Sequence, residues 1–135
     1  MQNDIFSEIT DIMMKLGLRP KLHGFDYLRE VIALCYQKDM EEEKLTVEIY
    51  PKVAKKYEVS DMVVERSIRL LIQDSFDDRR LLGLNTLYDC VVYDGTYNFS
   101  NSELISIITE ILKLNHLKRN LSENEKMIAK NDKIC

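Results

Sequence analysis

The chain has 135 residues, of which 45% are hydrophobic and 31% charged, and its 19 Lys and Arg against 23 Asp and Glu give a net charge of −4. That length suits one domain with one core. Four Gly, two Pro and no Trp argue against a loop-rich or all-β fold. No apolar run approaches the roughly 18 residues of a membrane span, and the acidic start MQNDIFSEIT lacks the basic-then-apolar order of a secretory signal. A cytoplasmic protein with no membrane partner is expected.

The first element is an amphipathic helix, with Ile5, Phe6, Ile9, Ile12, Met13 and Leu16 spaced by threes and fours. Gly17 can end it and Pro20 enforces a break. A second helix runs from Gly24 to about Met40, with Phe25, Leu28, Ile32 and Cys35 or Tyr36 on one stripe. The acidic run Glu41, Glu42 and Glu43 reads as a solvated turn or helix start, because nothing nearby completes a metal or partner site. Leu45–Tyr50 and Pro51–Tyr57 make two short pieces, Pro51 being tolerated in the first turn of a helix. A longer helix follows from Asp61 to Asp78, with Ser60 as its N-cap. Residues 87–97 mix β-branched and aromatic residues with the turn signal Asp94-Gly95, and suit a short hairpin or an irregular packed segment. Ser100 and Glu103 then match a capping box. They open a last helix whose apolar face holds Leu104, Ile107, Ile108, Ile111 and Leu114. The fold class expected is all-α, about six helices. Residues 1–117 form the domain, and 118–135 a polar, flexible tail with five Lys and Arg against three Asp and Glu.

Within this frame, residues 51–78 have the spacing of a helix-turn-helix. Val53, Ala54 and Tyr57 form one face of a short helix. Val59 sits in the turn, and Val64, Ile68, Leu71 and Ile72 form the inner face of the next helix. At 100° per residue, Met62, Glu65, Arg66, Arg69 and Gln73 share the outer face. Arg can pair bidentately with guanine and Glu can accept from cytosine N4. Lys52, Lys55 and Lys56 on the first helix are placed for phosphates. The segment 52–69 carries five Lys and Arg against three Asp and Glu, a basic island on an acidic chain. The commoner meaning of such a charge string is a solvated surface, and Asp74, Asp77 and Asp78 just beyond it would repel phosphate if they faced it.

At these residues the chain resembles a known family, the C-terminal effector domain of the stage-zero sporulation protein A family, the master response regulators of endospore formation. The matching strings are HGFDYLREVI (23–32), YPKVAKKY (50–57), VERSIR (64–69) and NSELI (101–105), and the likeness covers roughly residues 8–117. The resemblance implies a six-helix domain that binds double-stranded DNA at a short operator box. Glu65, Arg66 and Arg69 would contact bases and phosphates, and Lys55 and Lys56 match the basic end of the preceding helix. It also implies a homodimeric or tandem contact through the helix 102–115. The sequence departs from the family at Val63, where an Arg is typical, at Leu70, where a His is typical, and at Asp61 and Met62, where small polar residues are usual. The phosphoacceptor receiver domain that normally precedes this effector is not in the sequence. Met1, an extra N-terminal helix and a non-family tail favour a naturally short protein.

The expected function is therefore a sequence-specific transcriptional regulator, with Ser60, Met62 and Gln73 joining the matched residues as DNA-contacting positions. The other reading is a receiver-less protein-interaction module that pairs with or antagonises a full-length relative. Neither a catalytic grouping nor a cofactor or metal site is expected. His23 and His116 stand far from each other and from Cys35, Cys90 and Cys135, and His23 reads as a helix-start residue. Three widely spaced Cys suggest no disulfide framework.

Overall fold

The computed structural model describes residues 2–38 and 44–134. Met40, the Glu41, Glu42 and Glu43 run, and Cys135 lie outside the described residues. The described residues form six α-helices: α1 (Gln2–Lys15), α2 (His23–Lys38), α3 (Tyr50–Tyr57), α4 (Asp61–Asp77), α5 (Gly83–Tyr88) and α6 (Asn101–Ile134). A π-helical turn, Leu45–Ile49, leads into α3, and a 3₁₀ turn, Arg80–Leu82, leads into α5. Among the described residues there is no strand, and the fold is all-α.

Local chemistry sets most of the boundaries. α1 ends where Leu18 N–H reaches the Met13 carbonyl and Gly17 N–H the Met14 carbonyl, with Gly17 at φ +72. This is the Schellman arrangement, and it needs a left-handed residue that glycine supplies without strain. α4 starts at Ser60, whose Oγ accepts from Val63 N–H at 3.2 Å. α6 starts with both halves of the capping box formed. Glu103 N–H donates to Ser100 Oγ at 3.2 Å, and Ser100 N–H donates to Glu103 Oε1 at 3.0 Å.

α2 and α4 cross at the centre, with Phe25, Leu28, Val31 and Ile32 of α2 and Val64, Ile68, Leu71 and Ile72 of α4 all buried. The crossing is close because Gly24 carries no side chain; a Cβ there would stand 2.2 Å from the Ser67 carbonyl oxygen. α1 and α6 close the other sides of the core with Ile9, Met13 and Leu16, and with Leu104, Ile108 and Leu112. Ser75, fully buried on α4, donates its hydroxyl to the Leu16 carbonyl at 2.7 Å and so has the partner a buried polar group needs.

Of the two forms the sequence allowed for residues 87–97, the structure has the irregular packed segment, and the last helix outruns its expected end. Residues 89–100 form no hairpin. The Asn85 side chain takes the place of a partner strand: its Oδ1 accepts from Val92 and Tyr93 N–H, each at 2.9 Å, and its Nδ2 donates to the Tyr93 carbonyl at 2.8 Å. Tyr93, Tyr97 and Phe99 pack edge-on and tilted against one another, so the aromatic signal marks a folded loop. The last helix does not stop near Leu117. It runs without a break through residues 118–134, the stretch read as a separate flexible tail. Its span contains no Gly or Pro, and its polar half holds four Lys, two Glu, one Leu and one Arg, which favour helix. Arg119 also ties it to α1, at 2.7 Å from Glu8.

Candidate nucleic-acid interface

The turn between α3 and α4 is three residues long. Val59 N–H reaches the Ala54 carbonyl at 3.0 Å and Glu58 N–H the Lys55 carbonyl at 3.3 Å, with Glu58 left-handed at φ 56. Val53 and Ala54 on α3 and Val64 and Ile68 on α4 are buried, and Val59 packs beneath the turn. The Tyr27 and Tyr57 rings meet edge-on at 5.1 Å and fix α3 against α2. The geometry is a helix-turn-helix, and the burial of one face of α4 leaves the other outward.

That outward face carries Met62, Val63, Glu65, Arg66, Arg69, Leu70 and Gln73, all exposed. Arg66 makes no hydrogen bond or ion pair with any described residue. Arg69 pairs with Glu65 at 3.3 Å, one turn earlier, with both side chains half exposed. Such an exposed pair contributes only about 0.3–0.5 kcal/mol, so Arg69 is preoriented but free to leave. Ser60, Met62, Val63, Glu65, Arg66 and Arg69 line a shallow hollow of about 320 Å³ at the N-terminal end of α4.

The structure brings most of the sequence-predicted residues together on or beside this face, but two of them are tied up by neighbours. Lys56 points to α2, where its ammonium is held by Glu30; that hydrogen bond raises the Lys56 pKa. Gln73 is occupied, donating to Asp77 at 2.7 Å and accepting from Asn98 at 3.0 Å, and so fastens the 89–100 loop to α4. Lys55 is exposed and unpaired among the described residues. Of the acidic residues beyond Arg69, Asp77 stays exposed beside Gln73, while Asp74 and Asp78 are taken up by arginines. Asp74 lies 2.7 Å from Arg80 and 3.2 Å from Arg19, and Asp78 lies 2.9 Å from Arg19.

Sequence reasoning missed Glu30, which removes Lys56 from the basic set across 26 residues of chain. It also missed Lys38. This residue, at the end of α2, lies close to Lys52, and the nearness of that second ammonium holds the Lys38 pKa down. No local spacing signals either contact. Asn101, read as part of a helix start and of the string NSELI, donates to the Glu65 backbone carbonyl at 2.9 Å and seats α6 on α4. Among the described residues no group of three or more His, Cys, Asp or Glu is arranged to hold a metal ion, and no helix is long and apolar enough to cross a membrane.

The all-α fold, with its capped second helix and an unpaired arginine on the outward face, is that of a helix-turn-helix domain. A family model described as "Sporulation initiation factor Spo0A C terminal" matches residues 9–112, most of the chain. The chain belongs to that family.

Proposed function

We propose that this chain is a sequence-specific regulator of transcription that inserts the N-terminal half of α4 into the major groove of double-stranded DNA. The observation that carries the reading is the face of α4 opposite its buried stripe. There Arg66 stands exposed and unpaired, with Arg69 held one turn from Glu65. Helix-turn-helix domains read bases with the first turns of the second helix. Arg66 and Arg69 have the forked donors for guanine O6 and N7, and Glu65 has the acceptor for cytosine N4. Lys55 and Lys52, with Lys38 beside it, are assigned to phosphates. Ser60 caps α4 and its hydroxyl can donate to a phosphate at the groove edge. Gln73 positions the loop 89–100, and Lys56 contributes less than Lys55 while Glu30 holds it.

The family membership supports DNA binding and control of sporulation genes. Copies on neighbouring sites would touch through the 102–115 segment of α6, whose Ser106, Glu110 and Leu114 face solvent. The test is selection of bound duplexes from a random-centre library, followed by titration of the selected duplex with wild type and Arg66→Ala. Loss of sequence preference in a variant that still folds is expected. Selection that returns no common sequence contradicts the proposal.

A further inference from the structure

We infer that Met62 and Val63 read the 5-methyl groups of thymines next to the guanine taken by Arg66, a deepening that rests on the DNA-reading function proposed above. Both residues stand in the first turn of α4, two and three residues after the Ser60 cap. Met62 is 78% exposed and Val63 42% exposed. The first turn of the second helix is the part that approaches base edges. Neither side chain offers a hydrogen-bond donor, and the thioether is only a weak acceptor, so neither can read the polar pattern of a base pair. Thymine alone presents an apolar group in the major groove, its C5-methyl.

The arrangement fits base edges better than a protein partner. Protein-docking faces gather apolar side chains at the centre and leave charges at the rim. Here the order is inverted. At 100° per residue Arg66 lies between Met62 on one side and Val63 on the other, and Glu65 and Arg69 share the same hollow. Along the helix axis Val63 is about 4.5 Å and Met62 about 6 Å from Arg66, against a base step of about 3.4 Å. The thymines therefore fall one or two steps from the guanine.

The experiment uses the full chain and the duplex selected as above, with each thymine replaced in turn by deoxyuridine, which removes the methyl and keeps every hydrogen-bonding group. Wild type should lose about fourfold in affinity at one or two thymines beside the contacted guanine, the worth of one buried methyl. Met62→Ala or Val63→Ala should bind the thymine and deoxyuridine duplexes equally at its own position and still discriminate at the other. Both side chains are exposed, and unchanged circular dichroism and melting confirm an intact fold. The inference is overturned if a selected sequence is bound specifically but no deoxyuridine replacement matters, or if the alanine variants keep the full thymine preference. It is also overturned if they change self-association of the DNA-free protein instead. A selection with no sequence preference overturns the function proposed above.

Discussion

The Lys56 ammonium, on the last turn of α3, is held by the Glu30 carboxylate of α2. Glu30 is the more buried partner, with its side chain 17% exposed, whereas Lys56 is 58% exposed. The pair therefore anchors the first helix of the motif at the expense of one cation at the proposed DNA face. Lys55, one residue away, has no such partner.

From this follows a difference between adjacent lysines. Lys55→Ala should reduce the slope of log K against log salt by about one, the loss of one phosphate contact. Lys56→Ala should change it less. Glu30→Gln releases Lys56 and should raise affinity at low salt. Titration of one duplex at several salt concentrations measures all three, and equal slopes for Lys55→Ala and Lys56→Ala would contradict the assignment.

Glu58 occupies the left-handed position of the turn at φ 56 and is exposed. A non-glycine residue there costs roughly 1–2 kcal/mol, partly offset because glycine gains freedom in the unfolded chain. Glu58→Gly is expected to stabilise the domain by about 1 kcal/mol, read as a higher urea midpoint with an unchanged m-value. Glu58→Val should destabilise it.

Gly24 makes the opposite prediction. A Cβ 2.2 Å from the Ser67 carbonyl oxygen meets backbone, which cannot rotate away. Gly24→Ala must part α2 from α4 at the centre of the core, at a cost of about 3 kcal/mol, the upper end of ordinary overpacking. Because α4 carries the outward arginines, DNA affinity should fall with stability in this variant, whereas Arg66→Ala should lower affinity alone.

The capping box of α6 supplies a pH-dependent term. Hydrogen bonds from the Ser100 backbone and side chain hold the Glu103 carboxyl below its ordinary range. Its stabilisation is thus present above the unfolded-state pKa near 4.5 and is lost as pH falls through the lower folded value. Ser100→Ala should cost about 1 kcal/mol at neutral pH, and Glu103→Gln should flatten the stability profile between neutrality and strongly acidic pH. Urea melts at several pH values read both effects.

Cys35 and Cys90 should differ in reactivity. Burial pushes the Cys35 thiol up to about 11, and the side chain is 5% exposed, while Cys90 is exposed. At mildly alkaline pH iodoacetamide should modify Cys90 in the folded protein and Cys35 only on unfolding, as peptide mass mapping would show.

Much of this was legible in the sequence where the cause is local. The Ser60 cap, the Ser100–Glu103 box, the Gly17 stop and the 3.6-residue stripe of α4 each need only neighbours within a few residues. Burial of Val64 and Ile68 then forces Met62, Glu65, Arg66 and Arg69 outward, so the candidate face could be read from periodicity. What could not be read rests on contacts between distant segments. Glu30 capturing Lys56, Arg19 and Arg80 gathering Asp74 and Asp78, and Arg119 reaching Glu8 have no spacing signature. For the 87–97 segment the sequence left a hairpin and an irregular packed segment open. What decides for the second is that Tyr93 and Phe99 pack on each other and Asn85 takes the backbone hydrogen bonds a partner strand would take. α6 outruns its expected end because helix-forming polar residues continue it after the apolar stripe has faded.

The most direct test of the central claim is binding of the purified chain to its selected duplex and to a scrambled duplex of the same composition, at low and at near-physiological salt. Two salts are needed because phosphate contacts alone give tight, non-specific binding at low salt. The preference for the selected duplex should persist at near-physiological salt and disappear in Arg66→Ala. Equal, salt-sensitive binding of both duplexes, or a preference untouched by loss of Arg66, would contradict it.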